Sequence, residues 1–197
     1  MQLVVITRED FFSDEATVLN NLFEAGLSGL HLRKPRSALE EVRALLRGID
    51  PGFHKRILVH NHLALSEEFD LLGVHLPLDT LLQTGKVWDK GQISCSTHTH
   101  AEIQAAATVA DRAFISPLFD SVSKKGYLGN ALLRTVPKPE GNTLWVALGG
   151  ITPAHFMAVH RLGFKAAAVM GYVWRSGPPW QQFAECRAAA ADLENRQ

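Results

Sequence analysis

Eight short apolar runs, each followed by a segment of helical pattern, most constrain how this chain can fold. The runs are LVVIT (3–7), GLHLR (29–33), ILVHN (57–61), GVHL (73–76), QISCS (92–96), AFISP (113–117), LWVALGG (144–150) and AAAVMG (166–171). Apolar runs this short, bounded by polar or glycine-bearing segments, read as buried strands. Between the first two, DEATVLNNLFEAG places Val18, Leu22 and Ala25 on one helical face, with Gly26 as a stop. SALEEVRALLRG repeats the pattern with Ser37 as the expected N-cap. HAEIQAAATVA, TPAHFMAVHRLG and PPWQQFAECRAAAADLENR supply later helices, and Thr152-Pro153 suits a helix start.

Repeated strand–helix alternation implies parallel strands joined by right-handed crossovers, and eight such units close into a barrel more readily than they spread into an open sheet. The expectation is one compact α/β domain over residues 1–197, a (β/α)8 TIM barrel. It is a lean one: about 250 residues is typical, and only LALSEEFDLL is available to cross from the third strand to the fourth. An open doubly wound sheet is the alternative. That fold would carry a glycine fingerprint after its first strand, where this chain has ITREDFF.

Charge narrows the class of partner. Twenty basic residues balance twenty acidic ones, and no long basic run gives a footprint for nucleic acid or an anionic membrane. A small molecule is the expected partner. Cys95 and Cys186 form no CxxC pair, so the reading is reduced thiols in a cytoplasmic protein. The N-terminal apolar run is too short for a signal peptide or a membrane span. The alanines of AAAADLENR could serve a contact in a homo-oligomer, though core packing is the simpler reading.

In a β/α barrel the chemistry sits at the C-terminal strand ends, and there this chain collects polar residues. The second strand ends in His31, Arg33 and Lys34; the third in His60, Asn61 and His62; the fourth leads to His75 and Asp79; the fifth to Ser96, His98 and His100. The sixth gives Ser116 and the loop DSVSKKGY with Ser121, Ser123, Lys124 and Lys125, the seventh Gly149 and Gly150, and the eighth Gly171. Alternation along GLHLR turns Leu30 and Leu32 toward helices and His31 and Arg33 toward the barrel interior. Glycines after the seventh and eighth strands let backbone amides approach an anion closely, at the usual phosphate position of this fold. With the Ser/Lys loop they point to a phosphate ester. Trp174, Trp180 and Phe183 are expected to pack under the last helix. His155 and His160 should lie away from the site, and His54 in a loop before the third strand.

The stretches LHLRKP, VHNHLALS, GVHL, SCSTHTHAE, ISPLFDSVSKKGY and VALGGI, taken in order, resemble the signatures of the thiamine phosphate synthase/TenI superfamily, from about residue 3 to residue 175. The resemblance implies a thiamine-pathway barrel that handles a thiazole phosphate. Synthases of this family carry a Gln-x-Arg-x-Lys stretch on the second strand. Here His31 replaces the glutamine, Arg33 matches, Pro35 occupies the lysine position and Lys34 stands one place early. They also hold Mg²⁺ with two aspartates. Asn61 matches the residue before the first, His62 takes that aspartate's place, and Thr80 takes the second's, with Asp79 beside it as the one nearby carboxylate.

Imidazole serves Mg²⁺ poorly, and a pyrophosphate leaving group needs cations to take its charge. The resemblance therefore implies first the TenI-type activity, a tautomerisation of thiazole phosphate that needs no metal or other cofactor. His98 matches its acid/base histidine, and an imidazole titrates close to neutral pH. The substrate-binding set is then His31, Arg33, Lys34, Asn61, His62, His75, Ser96, Ser121, Ser123, Lys124, Gly149, Gly150 and Gly171. The alternative is the synthase, a transferase joining hydroxymethylpyrimidine pyrophosphate to thiazole phosphate with Mg²⁺. A zinc or manganese hydrolase built on the HNH and HTH stretches and a non-catalytic phosphate-binding regulator are further readings.

Overall fold

A computed structural model describes residues 1–85, 88–121, 126, 128–175 and 177–193. Eight parallel strands alternate with eight helices: β1 Gln2–Ile6, α1 Glu15–Glu24, β2 Gly29–Leu32, α2 Leu39–Arg47, β3 Ile57–His60, α3 Leu63–Glu68, β4 Gly73–His75, α4 Leu78–Thr84, β5 Gln92–Thr97, α5 His100–Val109, β6 Arg112–Ile115, α6 Ala131–Thr135, β7 Leu144–Ala147, α7 Phe156–Arg161, β8 Ala166–Val169 and α8 Pro179–Ala191. β1 pairs with β8 as well as β2, so the sheet closes and the open-sheet alternative is excluded. The economical crossover after β3 is a helix of six residues.

Strand alternation divides the core in two. Leu3 and Val5 face the helices with Leu30, Leu32, Ile57 and Val59, while Val4, Ile6, Phe114, Val146, Ala166 and Ala168 fill the barrel interior. His31 lies on the interior face as expected, its ring edge-on to Phe114 at 4.6 Å.

Several local expectations shift. On α1 the buried face is Glu15, Leu19, Leu22 and Phe23, and Val18 and Ala25 are only half-buried. The cap of α2 is at Ala38 rather than Ser37, because the Glu41 carboxylate reaches back to accept from the Ala38 amide at 2.8 Å. His54 sits in a 3₁₀ turn over residues 51–56, buried between the carbonyls of Ile49 and Phe69. Phe183 is fully buried, but Trp180 is 62% exposed and does not pack under α8. Trp174 instead reaches the end of β1, donating to the Ile6 carbonyl at 2.6 Å. Among the described residues no helix is long and apolar enough to cross a membrane.

Candidate active site

The C-terminal mouth of the barrel encloses a cavity of about 340 Å³. Arg33, His75, Ser96, His98, Ser121, Gly149, Gly150 and Gly171 line it, so loops spread over the chain meet in one space as the sequence predicts. Glu9, His60, Phe114, Ser116 and Met170 also stand in its walls. Sequence reasoning missed Glu9, which follows β1 and accepts from the Arg33 guanidinium at 2.7 Å. It left His60 without a role, although the alternation that turns His31 inward applies equally to Leu58 and His60.

His98 stands at the rim after β5. Its Nδ1 lies 2.8 Å from the Ser116 carbonyl, and Ser116 Oγ is 3.4 Å away. A carbonyl only accepts, so in the neutral ring Nδ1 carries the hydrogen and Nε2 carries the lone pair.

Below it three imidazoles form the floor. His31 Nδ1 is 3.2 Å from His60 Nε2, and His60 stacks on His75 with ring centres 4.1 Å apart. His75 Nδ1 meets Ser94 Oγ at 2.7 Å and its Nε2 meets Ser96 Oγ at 3.2 Å. Burial is the chief cause holding all three below the usual imidazole range. His75 is pushed down to about 3, with the Arg33 charge adding to burial, and neighbouring histidine and arginine charges press His31 and His60 the same way. At neutral pH each ring is neutral and offers one lone pair.

The β7 loop owes its shape to two left-handed glycines. A Cβ on Gly150 (φ 64°) would lie 2.1 Å from the Asp120 carbonyl oxygen, and one on Gly149 (φ 95°) would lie 2.6 Å from Pro117 Cα. The β6 and β7 loops are therefore pressed together, tied by Leu118 and Phe119 amides donating to Leu148 and Gly149 carbonyls. His155, expected away from the site, backs this loop. It stacks on Phe119 at 4.1 Å and bonds to Thr152, and burial, partly offset by the Gly150 backbone, lowers its pKa.

Other expected residues are placed elsewhere. Lys34 does not reach the cavity, because its ammonium is buried against Glu15, 2.8 Å from both carboxylate oxygens. Its pair partner on α1 could not be read from strand alternation. His31 is 1% exposed and lies beneath the cavity rather than in its wall. Asn61 is exposed in a left-handed turn (φ 66°), a conformation asparagine tolerates, and His62 caps α3; neither lines the cavity. Asp79 is exposed on the first turn of α4 and also lies off the cavity. Ser123 and Lys124 lie outside the described residues.

These donors do not fit a resident Mg²⁺. The ion takes oxygen ligands, whereas His62 is an imidazole at the start of α3 and Asp79, on the first turn of α4, faces solvent. Among the described cavity residues the one carboxylate is Glu9, which is paired with Arg33.

The geometry agrees with comparisons to known proteins. The chain matches a family model described as thiamine monophosphate synthase over residues 3–173. It is 28% identical over 184 residues to a thiamine-phosphate synthase of Erythrobacter litoralis, covering 85% of this chain and 82% of the relative. It is 30% identical over 153 residues to one of Nitrosococcus oceani, covering 74% and 67%. A crystal structure of a thiamine phosphate pyrophosphorylase from Bacteroides thetaiotaomicron superposes with a TM-score of 0.81 at 30% identity, over 98% of this chain and 99% of that one. A pyrophosphorylase from Pyrococcus furiosus shares the fold, with a TM-score of 0.73 at 20% identity over 98% and 96% of the chains. With the motifs meeting at one barrel mouth and the family model spanning nearly all the strands, this chain belongs to the thiamine phosphate synthase/TenI superfamily of thiamine-biosynthesis enzymes.

Proposed function

We propose that the barrel mouth binds a thiazole phosphate and that His98 moves a proton on it, converting a non-aromatic thiazole carboxylate phosphate to its aromatic tautomer. The observation that carries this reading is the contact of His98 Nδ1 with the Ser116 carbonyl. It fixes the tautomer and leaves the Nε2 lone pair as a base that takes the ring proton and, as imidazolium, returns a proton elsewhere on the same molecule. The reaction is an isomerisation and consumes no cofactor. Backbone at Gly149, Gly150 and Gly171 holds the phosphate with Ser121, and Ser123 and Lys124 follow in the same loop sequence. Arg33 on the opposite lip faces the substrate carboxylate. The site has the size for a small molecule, and the neutral chain suits a cytoplasmic enzyme without a nucleic-acid or membrane partner.

The second reading is thiamine phosphate synthase, and the printed names of the relatives favour it. Against it stand this chain's own residues: His31 and Pro35 in place of the glutamine and lysine, and His62 and Thr80 in place of the aspartates. One pair of assays separates the two. Purified protein given the non-aromatic thiazole is expected to raise the absorbance of the aromatic product. The same protein given both synthase substrates and millimolar Mg²⁺ is expected to release no pyrophosphate. Pyrophosphate release without tautomer turnover would establish the synthase. Tight thiazole phosphate binding with neither activity would mark a regulator.

A further inference from the structure

Neither the acid/base role of His98 nor the glycine-bearing phosphate loops draw on the histidine cluster under the cavity. His31, His60 and His75 come from β2, β3 and β4, and each presents a ring nitrogen within 4.8 Å of the other two. The register builds this triangle. His60 and His75 are paired across β3 and β4, while His31 pairs with Leu58, two residues before His60. Two rings therefore stack in an upper layer, and His31 meets both edge-on from below, at 5.4 and 5.6 Å.

Nitrogens bound about 2.0–2.1 Å from a tetrahedral Zn²⁺ stand roughly 3.3 Å apart. The separation of His31 Nδ1 and His60 Nε2, 3.2 Å, matches that edge. His75 shows the accompanying feature of a ligand histidine, an outer partner on its ring: Nδ1 meets Ser94 Oγ at 2.7 Å, the shorter of its two serine contacts, and Nε2 lies 3.2 Å from Ser96 Oγ. Packing alone would be served more cheaply by aliphatic side chains, since buried polar rings cost free energy unless they are fully bonded. His60 and His75 also line the cavity, so a fourth coordination position above the triangle opens toward substrate. Arg33, a cation in the same wall, is ion-paired with Glu9 at 2.7 Å.

We propose that His31, His60 and His75 form a binding site for one divalent transition-metal ion of the Zn²⁺ class, with an open coordination position facing the cavity. Three imidazoles and no carboxylate select such ions over Mg²⁺ and Ca²⁺. The site stands independently of the proton-transfer reading, because His98 is not among its ligands.

The test uses the untagged full-length protein, stripped with a chelator and titrated with Co²⁺ in phosphate-free buffer. One Co²⁺ per chain is expected, with visible absorption of a four- or five-coordinate nitrogen-rich site and an X-ray absorption spectrum fitted by three imidazoles. His60→Gln and His75→Gln should each weaken binding by at least about 100-fold, beyond the ~10–100-fold typical of losing an outer-shell partner. His100→Ala, at an exposed histidine on α5, should leave it unchanged. Absence of binding at micromolar Co²⁺, fewer than three imidazoles in the spectrum, or full affinity in a folded His60→Gln protein would overturn the proposal. Should the variants fail to fold, the imidazole count on the wild-type protein decides it.

Discussion

His98 Nδ1 and the Ser116 carbonyl oxygen, brought together from the ends of β5 and β6, are 2.8 Å apart. That bond leaves Nε2 as the reactive atom, so removing the ring should remove chemistry and leave binding and folding intact. His98→Gln is expected to lower kcat for tautomerisation by about 10²–10⁴-fold with KM little changed. Because the side chain is exposed at the rim, stability should stay within about 0.5 kcal/mol. Steady-state kinetics with a denaturation curve on the same preparation checks both, and a variant as fast as wild type would end the assignment.

Gly150 makes a contact that no other residue can make. An alanine there would combine left-handed strain with a Cβ 2.1 Å from the Asp120 carbonyl oxygen. Gly150→Ala should cost about 2–4 kcal/mol, lowering Tm by roughly 5–15 °C, and should weaken thiazole phosphate binding as the β6 and β7 loops part. Gly163 is the control. Its φ is 79° with nothing within 4 Å, so Gly163→Ala should cost only about 1–2 kcal/mol and leave binding unchanged. Thermal melts and equilibrium binding of the phosphate distinguish the two.

The order of elements was legible because buried parallel strands and amphipathic crossovers differ in hydrophobic period. The inward turn of His31 and Arg33 followed from the pleat alone. The same logic brought Ser96, His98, Gly149, Gly150 and Gly171 to one mouth, since strand ends in a closed barrel have nowhere else to meet. What escaped was set by partners distant in sequence. Lys34 looked like a substrate cation until Glu15 claimed it, and Glu9, which no motif singled out, is placed in the cavity wall by its ion pair with Arg33. The depth of His31 depends on strand register, which spacing within a single strand does not report. Asn61 follows its motif, but its left-handed backbone turns it out of the cavity wall.

Cys95 on β5 and Cys186 on α8 are both fully buried, and burial is the chief cause pushing each thiol from the ordinary 9.0 up to about 12, aided by Glu102 and Glu185 respectively. The folded protein should not react with a thiol reagent at about pH 8, and both thiols should react once denaturant is added. Because the folded pKa is raised, the unfolded chain ionises first, and stability is lost as pH climbs from 9 toward 12. Each thiol contributes up to about 1.4 kcal/mol per pH unit in that window. Urea midpoints between about pH 8 and pH 10 should therefore fall more steeply for wild type than for a Cys95→Ala/Cys186→Ala protein. Parallel slopes would show that the thiols ionise in place.

Lys34 and Glu15 decide whether a sequence-matched cation belongs to the site or to the scaffold. Lys34 Nζ bonds both Glu15 oxygens at 2.8 Å, with the two side chains 0% and 2% exposed. Burial draws both toward neutrality, raising Glu15 and lowering Lys34, while each partner's charge opposes the shift. The short double contact marks the pair as ionic. Lys34→Met would leave an uncompensated carboxylate between α1 and the barrel, at a cost of about 3–5 kcal/mol and a fall in Tm of roughly 10 °C. Adding Glu15→Leu removes the stranded charge and should recover most of that loss, since apolar replacement of a buried pair is often neutral. In the double variant KM for the thiazole phosphate should match wild type. A raised KM in that stable protein would mean that Lys34 leaves Glu15 to bind substrate, and that the cavity wall rearranges to admit it.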